Sequence, residues 1–337
     1  MKLTKFWLSI LFAFTIESCH YDPTETPSGT SGTWKTASSA GFTPRFGLAA
    51  GAAGGKLYVM GGNTTLGNPH TTNVFEVFDP ASNTWSTPQT TGVYTGRRYL
   101  SATMVDGKIY FIGGIQADQI PYLALNTVEV FDPLSNAWTT PTMSGSMTAR
   151  AYHASVVING KIYVIGGNIR APSFPNVEVF DPGTNTWTVP VTSGTFIQRY
   201  LLTASAVGGK IYVFGGIGVD SSGANALVSQ VQVFDPSTGA WSTSVTSGIF
   251  TPRSDLSSAV IGGKIYVIGG QGEGGSMLDI LEVFDPATNK WSTPAATGTF
   301  TARAAFATGV IGNKIYAGGG YSHSAVLNAN EIFTPAP

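Results

Sequence analysis

A single cysteine, Cys19, stands in 337 residues, so no intrachain disulfide can form and the fold must rest on packing and hydrogen bonding. Charge is scarce as well. Asp, Glu, Lys and Arg make up 11% of the chain with a formal net charge of -1, a composition poor in material for charged surface helices. The 18 Lys and Arg are spread at regular intervals, and no basic stripe is present to follow a phosphate backbone, so nucleic acid is not expected as a partner. Long apolar runs are also missing. The longest candidate, Phe6 to Ile16, falls short of the ~20 residues a membrane-spanning helix needs. No Ser-His-Asp order, zinc signature or phosphate loop is found, so hydrolysis and nucleotide chemistry have no motif behind them and no cofactor or metal is expected.

Lys2 and Lys5 before the Phe6–Ile16 run, and the small Ser18 before Cys19, follow the plan of an export signal over residues 1–18. Ile16-Glu17-Ser18-Cys19 resembles a bacterial lipoprotein processing box, in which the cysteine becomes the acylated first residue; Glu17 departs from that pattern. The resemblance implies an extracytoplasmic protein held at the cell envelope through Cys19, the membrane being met only through that lipid. Without acylation the expectation is ordinary secretion. Residues 19–32 are polar and rich in Pro, Ser, Thr and Gly, a flexible tether leading to a folded unit over 33–337.

The chain has 42 glycines, and their placement is periodic. Gly pairs begin at Gly61, Gly113, Gly166, Gly215, Gly269 and Gly319, each closing a run such as KLYVMGG or KIYVIGG. Arg45, Arg97, Arg150, Arg199, Arg253 and Arg303 each lie 16 positions before the first Gly of their pair. Asp79, Asp132, Asp181, Asp235 and Asp285 each lie six positions before a Trp, and the next Arg follows that Trp by 12. Trp34 stands 11 before Arg45, with no strand-like run ahead of it. Only the stretch from Gly pair to Asp varies, between 15 and 20 positions, so length variation is confined to one loop per repeat.

Each copy reads as four short strands, as in AYHASVVI, KIYVIGG, VEVF and NTWTVP of the third. DG, NG or GG before Lys suits a tight hairpin, and Asp-Pro-x-Ser/Thr-Asn suits a turn whose Asn takes the left-handed region. In the fourth copy Gly239 replaces that Asn. The Arg, the double Gly, the FDP turn and the Trp together resemble the kelch repeat over residues 33–337. The resemblance implies an all-β, six-bladed kelch β-propeller with four antiparallel strands per blade. The last copy runs Glu331-Ile332-Phe333-Thr334-Pro335 and ends before any Trp, so the N-terminal segment around Trp34 is expected to close the last blade.

Positions shared by all copies serve packing and turn geometry; function needs asymmetry. The repeated Glu76, Glu129, Glu178, Glu282 and Glu331, with Gln232 in the fourth copy, are expected to be structural, and the sequence does not say which Arg each would meet. In kelch propellers the residues after the repeated Arg look into the channel mouth. Carried over position by position, this gives Phe46, Arg98, Tyr99, Tyr152, Tyr200 and Asp255 as ligand-binding candidates, with small residues on the sixth copy. The set can be read as a mouth for a sugar or peptide or as a plug of tyrosines. Loop candidates are His70, Asp118, Tyr122, Arg170, Phe174, Asp220, Glu273, Tyr321 and His323. Galactose-oxidase-like copper chemistry requires a cysteine cross-linked to tyrosine, and Cys19 lies outside the repeats. His153 is expected to be a packed strand residue. The resulting expectation is a monomeric, non-catalytic binding module for a protein or a glycan. The alternative is a sugar epimerase or mutarotase using Asp255 with Glu273 or Asp220.

Overall fold

A computed structural model describes residues 31–67, 70–117, 122–167, 177–219 and 223–337. The expected signal, Cys19 and all but the end of the tether lie outside the described residues, as do Asp118, Arg170, Phe174 and Asp220. The fold is all-β and propeller-like. Each repeat builds one main antiparallel sheet, and the second and fourth add a small sheet in their loops; in the first, Ala49–Ala53, Lys56–Met60, Phe75–Asp79 and Thr84–Ser86 pair in that order. Turn chemistry accounts for the register. The Ala81 N–H donates to Asp79 Oδ1 at 2.9 Å, and Asn83 takes φ 54°, which lets Phe78 face Trp85. Gly239 occupies the same turn position at φ 71°, where a residue without Cβ is unstrained.

The second strand of each sheet is apolar on both faces because both faces are covered. Leu57 and Val59 of the first sheet pack with Ala307 and Tyr316 of the sixth, while Tyr58 and Met60 pack with Ile109 and Phe111 of the second. The core is thus divided among six large clusters, each filled from two successive repeats, and one of them joins the last repeat to the first. First strands also lie side by side in order, with Ala307–Ile311 against Ala49–Ala53.

The sixth sheet takes its outer strand from the other end of the chain. Gly32–Thr36 pairs antiparallel with Asn330–Pro335, setting Trp34 opposite Phe333 as Trp85 is set opposite Phe78. Trp34 is buried, with its ring 4.8 Å from Phe300 and 5.1 Å from Phe333. Ala296 and Thr297 then pair in parallel with Gly32 and Thr33, as Thr91 does with Ala137 and Ser144 with Thr186.

The expected first strand of the third copy starts late. Ala151–His153 lies outside the sheet, and Ala154–Ile158 forms the strand. Tyr152 stands at φ 59°, and every equivalent residue in the other repeats is also left-handed: Gly47, Tyr99, Leu201, Asp255 and Ala305. This kink two residues after the repeated Arg turns the backbone toward the neighbouring repeat.

Candidate functional site

The repeated arginines frame the site. All six are buried, and five pair with the Glu of their own repeat: Arg45 with Glu76, Arg97 with Glu129 at 2.8 Å, Arg150 with Glu178, Arg253 with Glu282 at 2.5 Å, and Arg303 with Glu331. The same carboxylates accept the backbone N–H of the Thr two residues before the Arg, as Glu76 does from Thr43 at 3.1 Å. Removing one partner of such a pair strands a buried charge, at a cost of about 3–5 kcal/mol. The fourth repeat differs. Arg199 meets the neutral Gln232 at 2.5 Å, Ile197 replaces the Thr, and burial pulls the guanidinium down to about 9.

The Gly pairs exist for the next repeat's Arg. The second glycine donates its N–H to that Arg carbonyl, as Gly62 does to Arg97 at 2.8 Å and Gly320 to Arg45 at 2.8 Å. A Cβ on the first glycine would stand 2.3 Å from the same oxygen at Gly61 and 2.6 Å at Gly319, inside any real contact distance. A second belt runs through the left-handed residues: Tyr99 N–H to Gly47 O at 2.6 Å, Tyr152 to Tyr99 at 3.0 Å, Leu201 to Tyr152 at 2.9 Å, Asp255 to Leu201 at 3.0 Å, Ala305 to Asp255 at 2.9 Å, and Gly47 to Ala305 at 2.8 Å. Every member both donates and accepts, so the backbone N–H and C=O of these six residues are satisfied within the belt.

On this rigid frame sit the asymmetric side chains. Tyr321 contacts Phe46 with ring centroids 5.1 Å apart, Phe46 contacts Tyr99 at 6.3 Å, Tyr99 contacts Tyr152 at 4.3 Å, and Tyr152 contacts Tyr200 at 6.2 Å. Arg98 lies over Tyr99 and Tyr122, its guanidinium carbon 5.6 and 5.7 Å from the two ring centres. Tyr99 lies on the backbone of Gly47, its ring 3.3 Å from where a Cβ would stand, so the absent side chain in the first repeat makes room for it. Asp255 occupies the remaining place in the belt. Burial pushes its carboxyl up to about 7, and its charge acts on Tyr99, Tyr152 and Tyr321, whose hydroxyls desolvation has already raised.

Beneath the belt the first strands line an open cavity of about 210 Å³, with Tyr99, Tyr152 and Asp255 at one end and small residues of the strands beyond. His153 lines it too. Its Nε2 lies 2.9 Å from Ser101 Oγ, and burial holds the imidazole down to about 3, so it is neutral. It sits just before the Ala154–Ile158 strand, packed as its position suggested.

All six mouth candidates therefore gather at one end, joined by Tyr122 and Tyr321 from the loop set. Of the other loop candidates within the described residues, His70, Glu273 and His323, none lines the cavity. Glu273 is exposed on a 3-10 turn, Glu273–Gly275, and no carboxylate among the described residues acts on Asp255. His70 and His323 are exposed, and among the described residues no three His, Cys, Asp or Glu side chains are placed to hold a metal. The sequence placed His153 in a strand, which in fact begins at Ala154, and missed the cavity that His153 lines. A signal was available: the paired residues Ala49-Ala50, Ser101-Ala102, Ala154-Ser155, Thr203-Ala204, Ser257-Ser258 and Ala307-Thr308 are small in every copy, as crowding around an axis demands.

The repeats have counterparts in known proteins. Residues 26–216 and 152–336 match the KLHDC2/KLHL20/DRC7 Kelch-repeats domain. Similar curated proteins include the Kelch-like protein terF of Aspergillus terreus, 32% identical over 129 residues, 37% of this chain and 27% of that protein. A Rab9 effector protein with kelch motifs from Rattus norvegicus is 30% identical over 140 residues, 40% of this chain and 37% of that protein. Kelch-like protein 33 of Homo sapiens is 31% identical over 120 residues, 35% of this chain and 21% of that protein. The chain thus spans well under two thirds of the length of these relatives. With the repeat domain matched across most of its length, and the Arg, Gly-pair and Trp positions each given a structural role, the chain belongs to the KLHDC2/KLHL20/DRC7 kelch-repeat family.

Proposed function

We propose that this chain is a closed six-bladed kelch propeller that binds a protein partner through the end bearing Phe46, Arg98, Tyr99, Tyr152, Tyr200 and Asp255. Closure is supported by the two hydrogen-bond belts, each of which runs from the last repeat back to the first, and by the pairing of Gly32–Thr36 with Asn330–Pro335. Binding at that end is carried by one observation: a continuous arc of aromatic rings, one cation and one acid are collected on an otherwise repetitive backbone, joined by Tyr122 and Tyr321 from loops of variable length. Aromatic and Arg anchors on a rigid scaffold are the usual material of protein hot spots. The rat relative's name, an effector of Rab9, is that of a protein that acts on another protein. A glycan is the second ligand class, favoured by the partly exposed Tyr152 and Tyr200 rings. A sugar epimerase has less behind it, since Asp255 lacks a second carboxylate among the described residues.

In this reading residues 1–18 are an export signal and residues 33–337 one monomeric domain, tethered at a bacterial cell envelope when Cys19 is acylated. Metabolic labelling with a palmitate analogue tests the anchor: label present in the wild type and absent in Cys19→Ser supports it. For the binding face, affinity of a captured partner is compared between the wild type, Tyr152→Ala, Tyr200→Ala and a control at the opposite hairpins, Asn159→Ala. Loss confined to the tyrosine variants is expected; loss confined to the hairpin variant overturns the assignment.

A further inference from the structure

The belt of left-handed residues carries one charge, that of Asp255. Among the described residues its carboxylate accepts no hydrogen bond and pairs with no cation, although it lies at the wall of a cavity and within electrostatic reach of three tyrosines. Each of the other five repeats contributes one ring to the arc: Tyr321 from the sixth, Phe46, Tyr99, Tyr152 and Tyr200 from the first to the fourth. Aromatic faces are electron-rich, and the Asp255 carboxylate, when ionised, adds a negative charge beside them, so the field at this site favours a cation.

We infer that the arc seats an alkylammonium group, the side chain of a lysine on the partner protein, with its methylenes on the rings and its ammonium against Asp255. The inference rests on the mouth being the binding face. A lysine suits the enclosure because its four-carbon stem is apolar and its head is a compact donor of three hydrogen bonds, matched to an acceptor-only carboxylate. Arg98 sets the orientation. It already covers Tyr99 and Tyr122, and it repels a second cation, so the ammonium seat lies on the Asp255 side of the arc.

Arg98 also makes the test decisive, because its removal has opposite effects on cations and anions. Nα-acetyl-lysine amide is titrated calorimetrically into the full chain, beside the norleucine and glutamate amides. Saturable binding of the lysine compound alone is expected. It should weaken about tenfold or more in Asp255→Asn and tighten in Arg98→Ala. Lowering the pH from about 8 to about 5.5 should weaken it without any substitution, since Asp255 takes up a proton there. Of the other groups facing the seat, the hydroxyls of Tyr99, Tyr152 and Tyr321 stay protonated and His153 stays neutral over that range, and Arg98 is the cation beside them. No saturable lysine binding, equal binding of norleucine, indifference to Asp255→Asn, or weaker binding in Arg98→Ala each overturns the inference. Partner capture that is lost in Tyr152→Ala but indifferent to Asp255→Asn would leave the protein-binding reading standing and remove the lysine seat.

Discussion

Two ionisable groups, the buried His153 and the half-buried Asp255, line the same cavity with opposite effects on stability, and pH should expose them one at a time. Asp255 is pushed up to about 7, so the native state holds a proton that the unfolded chain releases near pH 4. Its contribution is full below pH ~4 and is lost as pH rises toward ~7. His153 is held down to about 3, so the unfolded chain takes up a proton near pH 6.5 that the native state refuses. Its contribution is full above pH ~6.5 and is lost as pH falls toward ~3. Between pH ~4 and ~6.5 each group contributes a slope of about 1.4 kcal/mol per pH unit, with opposite signs, and the two cancel. The wild type should therefore show little slope across this window. Asp255→Asn should unmask a rise of about 3 kcal/mol from pH ~4 to ~6.5, and His153→Gln a fall of similar size; these are ceilings, lowered wherever water reaches the cavity. The measurement is the urea midpoint of each protein at several pH values. The reasoning fails if the three curves run parallel, since the linkage lies in their differences and not in their absolute heights.

Further predictions concern the frame. Trp34→Ala removes a buried ring held between Phe300 and Phe333 and should cost about 3–5 kcal/mol in chemical denaturation; deleting residues 33–40 should lower the melting temperature further, and an unchanged melt would contradict a ring closed by the N-terminal strand. Gln232→Glu combined with Ile197→Thr restores to the fourth repeat the carboxylate and hydroxyl of the others, and should stabilise by about 1–3 kcal/mol, with either change alone giving less. No gain in the double variant would mean that Arg199 is adequately served by a neutral amide. Gly47→Ala places a Cβ against the Tyr99 ring at a backbone of φ 65°, and should cost about 1 kcal/mol or more while displacing Tyr99, seen as a change in tyrosine fluorescence.

The repeat architecture was legible because its signals are local. Asn83, Asn136, Asn185 and Gly239 are turn residues whose left-handed φ follows from residue type alone, and the Asp-to-Trp spacing sets the register of the last hairpin. Trp34 announced its partner by lacking a strand of its own. The relations between repeats were harder to read, because they join positions far apart in the chain. Nothing in the spacing says that Glu76 belongs to Arg45 and not to Arg97, or that a carbonyl of the next repeat forbids a side chain at Gly61. The left-handed turn at Tyr99, Tyr152, Leu201 and Ala305 was hidden for another reason: tertiary hydrogen bonds impose it on residues that do not favour it, so composition carries no trace. Of the candidate site, the residue types were legible and the enclosure was not. Tyr321 reaches Phe46 only because the sixth repeat packs against the first.

The central claim is that recognition takes place at the end of the molecule where the aromatic arc meets Asp255. Hydroxyl-radical footprinting of the full chain, with and without its bound partner, tests it directly. Protection of Tyr99, Tyr152, Tyr200 and Tyr321 on binding is the predicted result. Protection confined to the hairpin turns at the opposite end, such as Asn159-Gly160 and Gly208-Gly209, with these tyrosines unchanged, would contradict it.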